Sequence, residues 1–352
     1  MKKTITTALT SSMIVLGASS AIAQTSISGN LDLSYQGVSV DTNTATGNSY
    51  RGFGKESQIN FANKGKLNNG IDYAAGFSWE IDGPDTLTTA AAIENHYIDF
   101  IIGKTTLSFS ADHVPNTDQT LTNIVGYGYT GGDGIGNMLS IYPKNLGENT
   151  GFGVGVTQDL GLLKVTLNYV PNNETASSND VANSLVSTNV ENATNSTKSI
   201  FAQGDLGIKG LNVLAGLKQQ KKEQTVATAK DADGKRFAIA YNTGQFTIAF
   251  DRISHEGQNG GGTTASTALD SELKGTSYGI GYAIDKNLSI GAFIAKGEST
   301  KAGSVEEKTK GIAIGYNLGP VTVQAQVRDV ENNSGAETLD GQIGGVKIST
   351  KF

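Results

Sequence analysis

Apolar and polar residues alternate with a period of two along most of this sequence, and this alternation restricts the fold more than any other feature. In GQFTIAFDRIS, for example, Phe246, Ile248 and Phe250 alternate with polar or small residues. A period of two places successive side chains on opposite faces of a β-strand. Helical spacing is not sustained over a comparable length. The sequence therefore predicts an all-β fold whose strands each have one apolar face.

Seventeen segments fit a strand by this criterion, and we expect sixteen of them to form one sheet. The remaining segment, NMLSIYPK at 137–144, is interrupted by Pro143 and has no neighbour through a tight turn. We therefore assign it to the loop that precedes it. The predicted strands lie near residues 25–38, 51–63, 70–82, 93–102, 104–112, 151–159, 162–170, 198–207, 211–222, 235–242, 245–255, 274–285, 287–298, 308–318, 320–331 and 338–352.

The connections between these strands alternate between short turns and long polar loops. This asymmetry is typical of outer-membrane barrels and is not required of a soluble sandwich. Because hydrocarbon contains no water to satisfy backbone groups, a sheet within it must close on itself. One face of each strand would then meet lipid and the other a wet lumen, which fits a mean hydropathy of −0.22. We predict a transmembrane antiparallel β-barrel of sixteen strands.

The first residues have the form of a secretory signal peptide. Lys2 and Lys3 precede a short apolar stretch, and an A-x-A pattern ends at Ala23. We expect a signal peptide at 1–23 and the barrel at 24–352. Removing two lysines from the 27 basic residues leaves 25 against 33 acidic ones, a formal net charge of −8. This balance gives no basic face for nucleic acid.

Several kinds of chemistry lack the residues they need. The chain has no cysteine, which excludes a disulfide framework and a thiolate metal site. Only three histidines are present, His96, His113 and His255, and no residue set supplies a nucleophile with its base. We therefore expect no enzyme activity and no cofactor. Loose binding of divalent cations by loop carboxylates remains an open alternative.

The strand count, the signal peptide, the long loop after the fifth strand and the final Phe352 together resemble the general trimeric porins of Gram-negative bacteria. SQINFANKGKLNNGIDYAAGFSWE is similar to the second porin hairpin, and GGVKISTKF is similar to the last strand. The resemblance spans the whole chain after the signal peptide. It implies a homotrimer in the outer membrane, contacts with lipid and lipopolysaccharide, and Phe352 as a signal to the outer-membrane assembly machinery.

The same resemblance implies that the loop after strand five folds into the barrel and narrows the pore. The matching segment, 114–137, carries Asp118 and Asp133 and no basic residue. Acidic groups at a constriction attract cations through the field that a narrow aqueous path concentrates.

Strand alternation, taken alone, assigns further charged residues to the lumen wall. Acidic positions dominate the early strands, where general porins often carry arginines. The acidic residues are Asp32, Glu56, Asp72, Glu80 and Asp99, and the basic ones are Lys104, Arg236, Arg328 and Lys347.

Three functions fit these observations. The first is passive diffusion of ions and small hydrophilic solutes with a weak preference for cations. The second is a substrate-specific outer-membrane channel, which a saturable block of conductance by one solute would reveal. The third is a secreted β-rich adhesin or surface protein, which would be soluble without detergent.

Overall fold

The computed structural model describes residues 24–41, 49–84, 92–111, 152–171, 195–222, 231–256, 272–337 and 339–352. Within these residues, sixteen strands form one closed antiparallel barrel. The described ranges include no helix that is long and apolar enough to cross a membrane. The strands are β1 (Gln24–Val40), β2 (Tyr50–Lys66), β3 (Asp72–Pro84), β4 (Ala92–Ile102), β5 (Thr105–Ala111), β6 (Phe152–Asp159), β7 (Leu163–Val170), β8 (Asn195–Gly204), β9 (Leu211–Lys222), β10 (Ala232–Asn242), β11 (Phe246–Glu256), β12 (Glu272–Ala283), β13 (Leu288–Ser299), β14 (Glu307–Asn317), β15 (Val321–Glu331) and β16 (Gly341–Lys351).

Every strand pairs with its neighbours in sequence, and β16 pairs with β1 to close the barrel. In this seam Leu33 lies opposite Ile348, and Tyr35 lies opposite Val346. The closure satisfies the edge groups of the first and last strands, which is the condition for placing a sheet in hydrocarbon. The predicted sixteen-stranded barrel is confirmed, and it closes without the segment 137–144, which lies outside the described residues.

The connections alternate in length around the barrel. On one side the longest is 205–210, and the shortest is the pair Gly103 and Lys104 between β4 and β5. Gly103 has φ +61, the left-handed conformation that a two-residue hairpin requires. On the other side the shortest connections are 85–91 and 300–306. Short periplasmic turns and longer outer loops are the arrangement found in outer-membrane barrels.

The outer face of the barrel carries an apolar surface. Direct cross-strand partners share a face, so Leu33 and Ile348 point outwards together, with 52% and 47% of their surfaces exposed. In a soluble protein so many exposed aliphatic side chains would be unfavourable, whereas in a bilayer they meet lipid. The outward aromatic residues include Tyr35, Trp79, Tyr169, Tyr241, Tyr278 and Tyr316.

The inner face carries the polar side chains. Ser277 on β12 and Asp251 on β11 are direct partners, and both are fully buried. Thr309 on β14 lies on the same face and is also buried. Apolar outside and polar inside is the reverse of a soluble barrel, so the usual hydrophobic core is replaced by a polar interior.

A β-bulge in β4 interrupts the regular alternation. Gly76 pairs with Tyr97, but Ser78, two residues later on β3, pairs with Glu94, three residues away on β4. Asn95 lies in this bulge, and its φ is +57°. Glu94 and Tyr97 therefore both lie on the inner face, although strict alternation would separate them.

Candidate pore lining

Asp32 and Glu56 form one row of the inner wall. They are direct partners on β1 and β2, and Asp32 is also paired with Ser349 on β16. Two carboxylates directly opposite each other repel unless a cation lies nearby. Asp32 has such a partner, because Lys347 Nζ lies 3.1 Å from its Oδ2. The side chains of Asp32 and Lys347 are largely buried, and their contact crosses the seam diagonally.

Glu80 lies on β3, one row from these residues, and is held by neutral donors. Gln58 Nε2 donates to its Oε1 at 2.5 Å, and Ser78 Oγ donates at 2.8 Å. Asn95 Nδ2 donates at 2.7 Å. The bulge that contains Asn95 brings this amide to the inner wall. These three bonds orient the carboxylate without neutralising its charge, so Glu80 is a fixed negative group on the wall.

The two other acidic residues predicted for the wall lie at different heights. Asp99 is on the inner face of β4, opposite Ala74 and Ser108. Asp72 is at the short-turn end of β3, where Lys66 Nζ lies 2.7 Å from its Oδ1. More than half of the side chains of Asp72 and Lys66 is exposed. Asp72 therefore lies at the rim, whereas Asp99 lies within the barrel.

Arg236 forms a buried ion pair with Asp251. Its Nη2 and Nε donate to the two carboxylate oxygens at 2.7 and 3.2 Å, and the side chains are 7% and 0% exposed. Arg236 is directly opposite Ile253, and Asp251 is directly opposite Ala238. The pair is thus diagonal between β10 and β11. Two parallel hydrogen bonds fix the planar guanidinium against the wall.

The remaining two basic residues of the predicted wall have different positions. Arg328 is on the inner face of β15, between Gly311 on β14 and Ile343 on β16. Lys104 was predicted to begin a strand with its side chain in the lumen. It instead lies in the two-residue turn before β5 and is exposed. The hairpin uses Gly103 and Lys104 as its turn, so the strand begins one residue later.

Asp118 and Asp133, the acidic residues of the predicted constriction loop 114–137, lie outside the described residues, as does the signal peptide at 1–23. Their roles stay predictions.

Two buried acidic residues were missed by the sequence prediction. Asp251 has the inner parity of β11, and this parity was a signal that could have identified it. Glu307 is the first residue of β14, fully buried, and accepts a bond from Asn333 Nδ2 at 3.2 Å. The predicted strand began at residue 308, so no parity was assigned to Glu307. In the part of the chain that the structure describes, no group of three or more His, Cys, Asp or Glu side chains could hold a metal ion.

A closed barrel with an apolar outer face, a charged inner wall and alternating short and long connections is an outer-membrane β-barrel of the channel-forming class. The model of the Gram-negative porin family matches residues 8–335. The chain belongs to this family, which places it in the outer membrane as a diffusion channel. The fold and the family resemblance predicted from the sequence are confirmed. The chain is therefore an outer-membrane protein, and the alternative of a secreted adhesin is wrong.

Solved porins share the fold at low sequence identity. The anion-selective porin from Comamonas acidovorans is similar with a TM-score of 0.70 and 15% identity, over 94% of this chain and 100% of that chain. A mutant porin of Rhodobacter blastica is similar with a TM-score of 0.61, the same identity and the same coverage. No curated protein sequence matches the chain. At this identity the likeness concerns the fold, and the ion preference depends on the charges of this chain's own inner wall.

Proposed function

We propose that this porin is a passive channel for ions and small hydrophilic solutes with a weak preference for cations. The observation that supports the preference most is Glu80, whose carboxylate receives three neutral hydrogen bonds on the inner wall. A fixed negative charge beside a narrow aqueous path raises the local concentration of cations and lowers that of anions.

The ion pairs of the wall contribute little to this preference. Asp32 lies against Lys347, and Asp251 lies against Arg236. The charges of each pair cancel at the distance of a passing ion. Glu80 therefore has a larger influence on permeation than a simple count of wall charges suggests.

The zero-current potential across a bilayer that separates two KCl concentrations tests the preference. We expect the wild-type potential to lie on the cation side and Glu80→Gln to move it towards zero. Low salt is preferable, because the Debye length is about 10 Å at 0.1 M and shorter in stronger salt. Glu298→Gln is the matched control, since Glu298 is exposed on the outer face of β13. It should leave the potential unchanged.

A wild-type potential on the anion side would refute the cation preference, and an equal effect of Glu80→Gln and Glu298→Gln would refute the role of Glu80. A saturable block of current by one class of solute would instead favour the substrate-specific alternative. The anion-selective Comamonas porin has the same fold, so either sign of selectivity is compatible with the barrel.

Further elements of the proposal concern the pore, assembly and surroundings. Residues 114–137 would narrow the lumen, with Asp118 and Asp133 adding to the cation preference. Residues 1–23 would direct export, and the assembly machinery would recognise Phe352.

Three copies would associate in the membrane, in contact with lipid and lipopolysaccharide. The mass of the oligomer purified in mild detergent tests the subunit number, and a monomeric mass would refute the trimer.

A further inference from the structure

Phe352 and Gly29 form a mutual backbone pair at one end of the seam between β16 and β1. The N–H of Gly29 donates to the carbonyl oxygen of Phe352 at 2.8 Å, and the N–H of Phe352 donates to the carbonyl oxygen of Gly29 at 3.0 Å. The register continues with Asn30 opposite Lys351 and Leu31 opposite Thr350. This pair therefore shares the register of the whole seam.

The side chain of Phe352 lies where Gly29 would carry its own. A Cβ atom built on Gly29 would be 2.5 Å from Cζ of Phe352 and 2.8 Å from its Cε2. Gly29 has the outward parity of Leu31, and the ring is half exposed on the same face. Because φ of Gly29 is not in the left-handed region, space for the ring, and not backbone conformation, is what the glycine provides.

We propose that Gly29, which has no side chain, provides the space that the Phe352 ring occupies, and that this contact selects the register in which the barrel closes. A shift of the seam by one residue would turn every outward side chain of β16 inwards. A shift by two would keep the faces but place Ile27 or Leu31 opposite Phe352. Both have side chains where Gly29 has none, so neither neighbouring register leaves the ring the space that it has over Gly29.

A side chain at Gly29 would meet the backbone of β2 as well as the Phe352 ring, and the experiment has to distinguish these two contacts. The same Cβ would be 2.6 Å from the carbonyl oxygen of Gln58 on β2, so any side chain is unfavourable there even without the ring. Gly311 provides a matched control inside the sheet. A Cβ on Gly311 would be 2.5 Å from Cζ of Phe293 and 2.7 Å from the carbonyl oxygen of Val327. Both glycines thus face one ring and one carbonyl, and Gly311 additionally faces Cβ of Arg328 at 2.8 Å. Of the two, only Gly29 lies at the seam.

The experiment is a double-mutant cycle in refolding. Variants with Gly29→Ala, Phe352→Ala and both changes are unfolded in urea and refolded into detergent without any assembly machinery. The folded fraction is read from heat-modifiable gel migration and protease resistance. Gly311→Ala is combined with Phe352→Ala in the same way.

We expect Gly29→Ala to lower the ratio of folded to unfolded protein about tenfold more when Phe352 is present than when it is combined with Phe352→Ala. Gly311→Ala should have equal effects in the two backgrounds. Equal effects of Gly29→Ala in both, including a failure to fold in both, would overturn the proposal. Because no machinery is present, the result does not depend on whether Phe352 is also an assembly signal.

Discussion

Lys347 on the last strand lies with its Nζ 3.1 Å from Oδ2 of Asp32 on the first strand. The two residues are not direct partners, since Lys347 is opposite Ser34 and Asp32 is opposite Ser349. The contact therefore spans the seam diagonally, on the inner face, while apolar residues cover the outer face of the same two strands. One ion pair thus bridges the two strands that close the barrel and also neutralises a carboxylate of the wall.

Replacement of Lys347 by Gln should destabilise the barrel by about 1.5–3 kcal/mol, because the largely buried carboxylate of Asp32 would lose its charged hydrogen-bond donor. The free energy of unfolding in urea measures this loss. Lys310→Gln is the control, because Lys310 is 60% exposed and lies 3.7–3.9 Å from its acidic partners on the outer face. Its removal should cost about 0–1 kcal/mol. Equal losses would contradict a stabilising role of the seam pair.

Replacement of Asp251 by Asn should be more destabilising, by about 3–5 kcal/mol, because it removes from the buried guanidinium of Arg236 the charged partner that accepts two of its hydrogen bonds. The exposed pair of Asp72 with Lys66 gives the comparison, and Asp72→Asn should change stability by about 0–1 kcal/mol. The double variant Arg236→Met with Asp251→Leu should recover most of the loss, since a buried ion pair can be replaced by apolar residues. Urea unfolding of all three variants tests this, and a tolerated Asp251→Asn would show that Arg236 does not depend on the pair.

The turn between β12 and β13 should give stability a dependence on pH. The backbone N–H groups of Asn287 and Leu288 donate to Oδ1 of Asp285 at 2.6 and 2.9 Å. These bonds, in that order, lower the pKa of the carboxyl below its ordinary value of 3.8, and Lys286 lowers it further. A lowered pKa stabilises the folded state above the unfolded pKa, and the contribution is lost as pH falls through the folded pKa.

Asp285→Asn keeps an acceptor oxygen but does not titrate. The stability difference between wild type and this variant should therefore be constant above about pH 5 and shrink below about pH 4. Urea unfolding across this range measures it. A difference that is independent of pH would show that ionisation of Asp285 does not stabilise the turn.

Deletion of Phe352 should reduce the amount of protein inserted in the outer membrane more than it changes the conductance of the barrels that form. The residue contributes the backbone pair with Gly29 and an outward ring, and neither faces the inner wall. Immunoblots of membrane fractions and single-channel recordings compare the two effects. Normal insertion of the deletion variant would contradict an assembly role.

Strand alternation was sufficient to predict the barrel, because lipid on one face and water on the other impose it on every strand. It failed where turns replace strand residues. The predicted strand 198–207 is observed as Asn195–Gly204, since Leu206 and Gly207 have positive φ values of 52° and 77° and belong to a turn. Lys104 was misplaced for the same reason, because it is the second residue of the turn that Gly103 begins.

Side-chain contacts between neighbouring strands could be predicted only if the register of those strands were known. The pair of Arg236 with Asp251 is diagonal, and alternation within one strand cannot say which neighbouring row a long side chain reaches. One of the three hydrogen bonds of Glu80, from Asn95, depends on the bulge in β4, which adds one residue without a Gly or Pro at that point of the sequence. Glu80 was therefore predicted to face the lumen, but the donors that hold it were not.

The most direct test of a diffusion channel is single-channel recording of the purified, heat-modifiable protein in a planar bilayer. If the inner wall lines a continuous aqueous path, insertion should produce stepwise current increases that are ohmic and rise in proportion to the salt concentration. The fraction of folded protein in the same sample is checked by gel migration. Folded protein that inserts without any current would contradict the account.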